Sequence, residues 1–69
     1  MIESDTRLAA LRAGMRVKDS TGIPIGYVRE VSGRSVLVGE LMGRRVFWLN
    51  GERIDGVVDG AVRLRAAGR

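Results

Sequence analysis

The stretch GMRVKDSTGIPIGYV, which spans residues 14–28, decides the fold. Apolar and basic residues alternate over Met15–Lys18, a period of two that is typical of a strand. The segment Asp19–Gly22 has the composition of a turn. The segment Ile23–Val31, with Pro24 near its start and an interruption at Gly26, predicts a second strand. Because both runs are short and bounded by turn residues, the stretch indicates β-structure.

Glycines and acidic residues are expected to shape the turns. We expect Gly22 or Gly26 to have a positive φ or to lie at a bulge, where a side chain would clash. A bulge at Gly26 would bring Ile25 and Val28 to the same side of the strand. The residues expected to have a structural role in turns are Asp19, Gly22, Gly26, Asp59 and Gly60.

The rest of the chain continues the β pattern. Residues 32–34 predict a hairpin turn, and further strands are expected over Ser35–Leu41, Arg45–Asn50 and Ala61–Arg65. The segment Glu52–Asp59 is expected to be irregular, with one helical turn, because Ile54 and Val57 are three residues apart. Five short strands at regular intervals predict an all-β fold, a small five-stranded barrel or sandwich.

The N-terminal segment is the one predicted helix. It is expected over Asp5–Ala13, with Ser4 or Asp5 as N-cap and Gly14 as a left-handed C-cap. Leu8 and Leu11 form a narrow apolar stripe that must pack on something, because so short a helix is marginal alone. The expected organisation is a helix or arm over residues 1–14, a barrel over 15–65 and a frayed tail over 66–69.

The opening pattern of this sequence resembles that of the PRC-barrel superfamily. The motif is Gly14-Met15-x-Val17-x-Asp19-x-x-Gly22-x-x-Ile25-Gly26-x-Val28. The closing rhythm of Ile54, Val57 and Asp59-Gly60-x-Val62-x-Leu64 is also similar, particularly to the small stand-alone bacterial versions. The chain departs from the family at Asn50, where such domains often have a proline.

This resemblance implies a fold and a type of role. Members of the superfamily include the cytoplasmic part of the photosynthetic reaction-centre H subunit and the C-terminal domain of the ribosome maturation factor. It therefore implies a compact barrel that docks onto larger assemblies. It implies no shared catalytic residue and no cofactor.

Composition excludes several classes of function. The 69 residues include no Cys and no His, which excludes disulfides, thiolate metal sites and imidazole catalysis. The carboxylate pairs Asp55–Asp59 and Glu52–Asp55 lie in turn-rich sequence, where such residues are ordinarily solvated. We therefore expect no enzymatic activity, no cofactor and no bound metal.

The hydropathy of the chain bears on its location. No apolar run approaches the roughly 18 residues of a membrane span, and the acidic start at Met1–Asp5 lacks the features of a secretion signal. We expect a cytoplasmic protein with no membrane insertion.

The fourth strand is apolar on both faces. By the two-residue period, Val46 and Trp48 are expected in the core, so Phe47 and Leu49 need another cover. That cover is either the stripe of Leu8 and Leu11 or a second copy of the chain, and these four residues are the candidate interface. The expected core is Val17, Ile25, Val28, Val36, Val38, Val46, Trp48, Ile54, Val57, Val62 and Leu64.

Net charge supports a second function class. Lys and Arg number 12 against 8 Asp and Glu, a formal charge of +4. Small β-barrels bind nucleic acid with aromatic rings and basic side chains, and Tyr27, Phe47 and Trp48 are available for stacking. The candidate basic surface is Arg29, Arg34, Arg44, Arg45, Arg63 and Arg65. The preferred prediction is a non-enzymatic docking or assembly module, self-associating or part of a larger protein assembly, and the alternative is a nucleic-acid-binding barrel.

Overall fold

The computed structural model describes residues 6–66. The predicted N-cap at Ser4 or Asp5 lies outside these residues, as does most of the predicted tail. The elements, in chain order, are α1 (Thr6–Ala9), β1 (Arg16–Lys18), β2 (Pro24–Ser32), β3 (Ser35–Glu40), β4 (Val46–Asn50), a 3₁₀ turn (Gly51–Arg53), β5 (Ile54–Val58) and β6 (Ala61–Leu64).

The strands form one mixed sheet in the order β4-β3-β2-β1-β6-β5. Neighbouring strands are antiparallel except β1 and β6, which pair in parallel. The all-β prediction is confirmed. Within the described chain β4 and β5 remain the two edges of the sheet, so the predicted barrel closure is not present.

The prediction of five strands was wrong, because Ile54–Val58 is a sixth strand. The expected helical turn is a 3₁₀ turn that ends at Arg53, directly before this strand. Asp59 and Gly60 have φ values of 54° and 78°. Two positive φ values in a two-residue loop are typical of a type I′ turn, whose twist matches a hairpin. The turn therefore holds β5 against β6.

The predicted turn between β1 and β2 is organised by a carboxylate. Asp19 Oδ1 accepts hydrogen bonds from the Thr21 hydroxyl at 2.7 Å, and from the backbone N–H groups of Thr21 and Ile23 at 2.9 Å each. Gly22 closes the turn with a φ of 93°, as predicted. These hydrogen bonds, the one from the Thr21 hydroxyl first, lower the pKa of Asp19 below its ordinary value.

Gly26 lies where β2 shifts its register against β1. Val17 pairs with Gly26 but Lys18 pairs with Pro24, which leaves Ile25 as an extra residue. As predicted, Ile25 and Val28 both pack against the core despite their odd spacing. A Cβ on Gly26 would collide with the carbonyl oxygen of Gly39 and lie 3.0 Å from a methyl group of Val38. The bulge and the close approach both require glycine here.

The core lies on one face of the sheet. Its buried cluster contains seven of the predicted residues together with two leucines from the N-terminal segment: Leu8, Leu11, Val17, Val28, Val36, Val38, Ile54, Val62 and Leu64. Ile25 and Val57 pack against this cluster and are partly buried. We call the opposite face of the sheet the outer face.

The N-terminal helix is shorter than predicted. It ends at Ala9, and the backbone N–H of Leu11 donates to the Leu8 carbonyl in a tight turn. Leu8 and Leu11 both point into the core, so the predicted apolar stripe is present although the helix is shorter. Gly14 has the expected positive φ of 94°, but its N–H donates to Val28 on β2 and does not cap the helix.

Candidate docking edge and basic face

The orientation of β4 is opposite to the prediction. Phe47 and Leu49 pair with Val38 and Val36, two residues that are fully buried. Paired residues on neighbouring strands point to the same face, so Phe47 and Leu49 lie on the core side. Leu49 is partly buried against the core, and Phe47 remains 39% exposed.

The outer face of β4 therefore carries Val46 and Trp48, which were wrongly expected in the core. Their exposed fractions are 47% and 53%. The prediction failed because β4 is apolar at every position from Val46 to Leu49, so its sequence does not show which residues face the core. Pairing with β3 decides this, because the buried valines of β3 alternate with the half-buried Leu37 and with Gly39.

The backbone of β4 has a free side. Glu40 N–H donates to the Arg45 carbonyl at 2.9 Å, and Gly51 N–H donates to the Arg34 carbonyl at 2.6 Å. In an antiparallel ladder, residues alternate between those bonded to the neighbour and those facing away. Counting from Arg45, the N–H and C=O groups of Val46 and Trp48 face away from β3, with no strand beyond them in the described chain.

The two edges of the sheet differ. β5 carries the exposed Asp55 at a register shift, and charge and irregularity both hinder pairing with another strand. Also, α1 packs chiefly against β5. β4 has a regular register and no charged residue between Val46 and Asn50. Of the two edges, β4 is the one open to a further strand.

The four residues of the candidate interface do not form one surface. Leu8 and Leu11 are both buried in the core at 5% exposure, so they do not cover the outer face of β4. Leu8 instead approaches Gly51, just after β4. Phe47 and Leu49 lie on the core side at the edge. Trp48 lies beside Leu37 on the outer face and remains 53% exposed in the described part of the chain.

The six arginines of the candidate basic surface are spread over the molecule. Arg34 lies in the β2–β3 turn, Arg44 and Arg45 precede β4, and Arg65 follows β6. Arg29 lies on the outer face, because its side chain runs over the position that a Cβ on Gly39 would occupy. Arg63 alternates with the buried Val62 and Leu64 and so also faces outward.

Sequence reasoning missed two further cations on the outer face. Arg16 and Lys18 flank the fully buried Val17 on β1, so both point outward. Lys18 is directly beside Arg63 on β6, and Arg16 is opposite Tyr27 on β2. The alternation Arg-Val-Lys contains the signal that identifies them.

Other chemistry has little support from the described residues. Within residues 6–66 there is no pocket and no group of three potential metal ligands. The same part of the chain has no helix with the length and apolar character needed to cross a bilayer.

Comparison with known proteins gave no match, since no family model, curated protein or solved structure resembles the chain significantly.

Proposed function

We propose that the protein is a non-enzymatic docking and assembly module that self-associates through the free edge of β4. One observation carries the proposal: this edge presents unpaired backbone groups at Val46 and Trp48 beside exposed apolar side chains. Such an edge is a template for another strand, and strand addition is a recurrent mode of protein recognition.

A second copy of the chain fits this edge in its residue pattern, because β4 has no charged residue to oppose its own copy. Antiparallel pairing about a two-fold axis at Trp48 places Phe47 opposite Leu49 of the second copy. The same register places Val46 opposite Asn50 of the second copy, at the two ends of the strand. Cross-strand pairs stabilise a sheet, and each of these pairs forms twice because a two-fold interface is self-complementary.

The expected dimer is weak. One strand against one strand buries an area at the lower end of the range for specific complexes. We therefore expect a dissociation constant on the order of micromolar, which suits a module that exchanges between a second copy and a larger assembly.

The relation to the PRC-barrel superfamily belongs to the same proposal. The motif over residues 14–28 supports it, and its Asp19, Gly22 and Gly26 have structural roles in the turn and the bulge. In this proposal the protein is a docking domain of the bacterial cytoplasm.

The test is the molar mass in solution, measured by light scattering over a wide range of protein concentration. We expect the wild type to change from monomer to dimer. Trp48→Lys should remain monomeric at every concentration, because a lysine at the centre of the edge opposes a second lysine. Trp48 is 53% exposed, so the variant should keep the wild-type circular dichroism spectrum.

Met42→Lys is the matched control. Met42 is 93% exposed in the connection between β3 and β4, and the substitution makes the same change from an apolar residue to lysine outside the strand. This variant should dimerise like the wild type. A wild type that stays monomeric throughout, or a Trp48→Lys variant that still dimerises, contradicts the proposal.

A further inference from the structure

The outer face carries a row of cations that crosses most of the sheet. Arg63 on β6 is beside Lys18 on β1, and Arg16 on β1 is opposite Tyr27 on β2. Arg29 extends the row over Gly39 on β3, with atoms of its side chain 3.0 to 3.6 Å from the Cβ position there. Adjacent strands are about 4.8 Å apart, so the positive charge is continuous along this line.

Within residues 6–66 these cations are only partly compensated by carboxylates. None of the four forms an ion pair with a carboxylate of the described residues. The nearest acidic position on this face is Glu30, which is opposite Leu37 and so lies on the outer face too. Asp19, next to Lys18 in sequence, is a second carboxylate near the row; its Oδ1 accepts hydrogen bonds from its own turn, and the group keeps its negative charge. The four cations outnumber the carboxylates of Glu30 and Asp19, and this excess of positive charge favours a polyanionic ligand.

Tyr27 adds an aromatic ring in the middle of this row. It is half-buried, lies opposite Arg16 and Gly39, and has Arg29 two residues ahead on its own strand. Because Gly39 has no side chain, the aliphatic part of Arg29 lies over it, 3.0 to 3.1 Å from its Cβ position, and this brings the cation to the strand that pairs with Tyr27. An aromatic ring on an open sheet, surrounded by cations, is the arrangement that stacks an unpaired base while the cations contact phosphates.

We infer that the outer face of β1, β2, β3 and β6 binds single-stranded nucleic acid, with Tyr27 as the stacking residue and Arg16, Lys18, Arg29 and Arg63 as the phosphate contacts. A duplex fits this face less well. Its bases are stacked on each other and are therefore not available to Tyr27, and its major groove admits a helix or a two-stranded ribbon but not a broad sheet. This binding is independent of the β4 edge and therefore of the proposed dimer.

The test is fluorescence anisotropy with a labelled oligothymidylate of about eight nucleotides, within the site sizes of small β-barrels. We expect binding that weakens with salt. Four phosphate contacts to a single strand predict a slope of log K against log salt of about −2.8. Arg16→Gln/Arg63→Gln should halve the slope to about −1.4. Tyr27→Leu should lower the affinity about tenfold, through lost stacking, and keep the slope.

Arg44→Gln/Arg53→Gln is the matched control. It removes the same net charge from two exposed arginines that lie in turns and not on the outer-face row. It should keep the wild-type slope, and light scattering on every variant shows any change in self-association separately.

Three results overturn the inference. The first is no binding at low salt. The second is an equal loss of slope in both double variants, which would indicate attraction by net charge alone. The third is displacement of the labelled strand by polyglutamate or by duplex as efficiently as by unlabelled oligothymidylate, which would indicate an acidic protein or a double helix as the ligand.

Discussion

Leu8 is two residues from the start of the described chain, yet it is buried in the core at 5% exposure. Truncating it to alanine removes apolar contacts and leaves a cavity between α1 and the chain at Gly51, which its side chain approaches. Buried Leu-to-Ala changes cost roughly 2 to 5 kcal/mol. A domain of this size has a total stability of about 3 to 5 kcal/mol, so we expect most of it to be lost.

The assay is thermal unfolding followed by far-ultraviolet circular dichroism at low protein concentration. A loss of about 3 kcal/mol corresponds to a decrease in Tm of about 12 to 24 °C in a domain this small. Leu37→Ala is the matched control, since Leu37 is half-buried on the outer face. It should cost about 1 kcal/mol. If Leu8→Ala melted within about 4 °C of the wild type, the N-terminal segment would not be part of the core.

Two further predictions concern the turn and the bulge. Asp19→Asn should lower Tm at neutral pH, because the pKa of Asp19 is lower in the folded state than in the unfolded state. The ionised carboxylate therefore stabilises the fold above the unfolded pKa of about 3.9, and this stabilisation is lost as the pH falls through the folded pKa. The Tm difference should therefore vanish in a pH series taken to about pH 2, and a difference that persisted there would exclude the charge as its cause. Gly26→Ala should lower the free energy of unfolding by about 1 to 3 kcal/mol, measured by denaturant titration, because the new Cβ meets the Gly39 carbonyl. Gly56→Ala is the matched control: the space around its Cβ is open, so the free energy of unfolding should change by less than about 1 kcal/mol. Equal effects of the two glycine substitutions would contradict the close packing of β2 on β3.

Much of the sheet could be predicted because its strands alternate. In β1, Val17 is apolar between two cations, and its burial follows from that pattern alone. Turn chemistry at Asp19–Gly22 and at Asp59-Gly60 likewise gave the positions of two reversals. These are local signals, and the structure agrees with them.

The errors occur where the local signal is ambiguous. Every residue from Val46 to Leu49 is apolar, so a shift of one position exchanges the two faces, and only pairing with β3 decides between them. In β5, Asp55 and Gly56 are poor strand formers, and the strand exists because the turn at Asp59 presents it to β6. The docking edge and the basic row both depend on these long-range pairings, so the sequence indicated their residue types but not their arrangement.

The parallel pairing of β1 with β6 has a consequence for synthesis on the ribosome. Val17 lies on the first strand of the described chain and is made before its partner Val62, which belongs to the last of the described strands. Until that strand emerges, β1 lacks one of its two neighbours and the core lacks Val62 and Leu64. Pairing of such distant segments carries a large loop-closure cost and is slow. The nascent chain therefore completes its fold only when β6 can pair with β1, and until then the sheet has two open edges, β4 and β1, that can contact a neighbouring nascent chain.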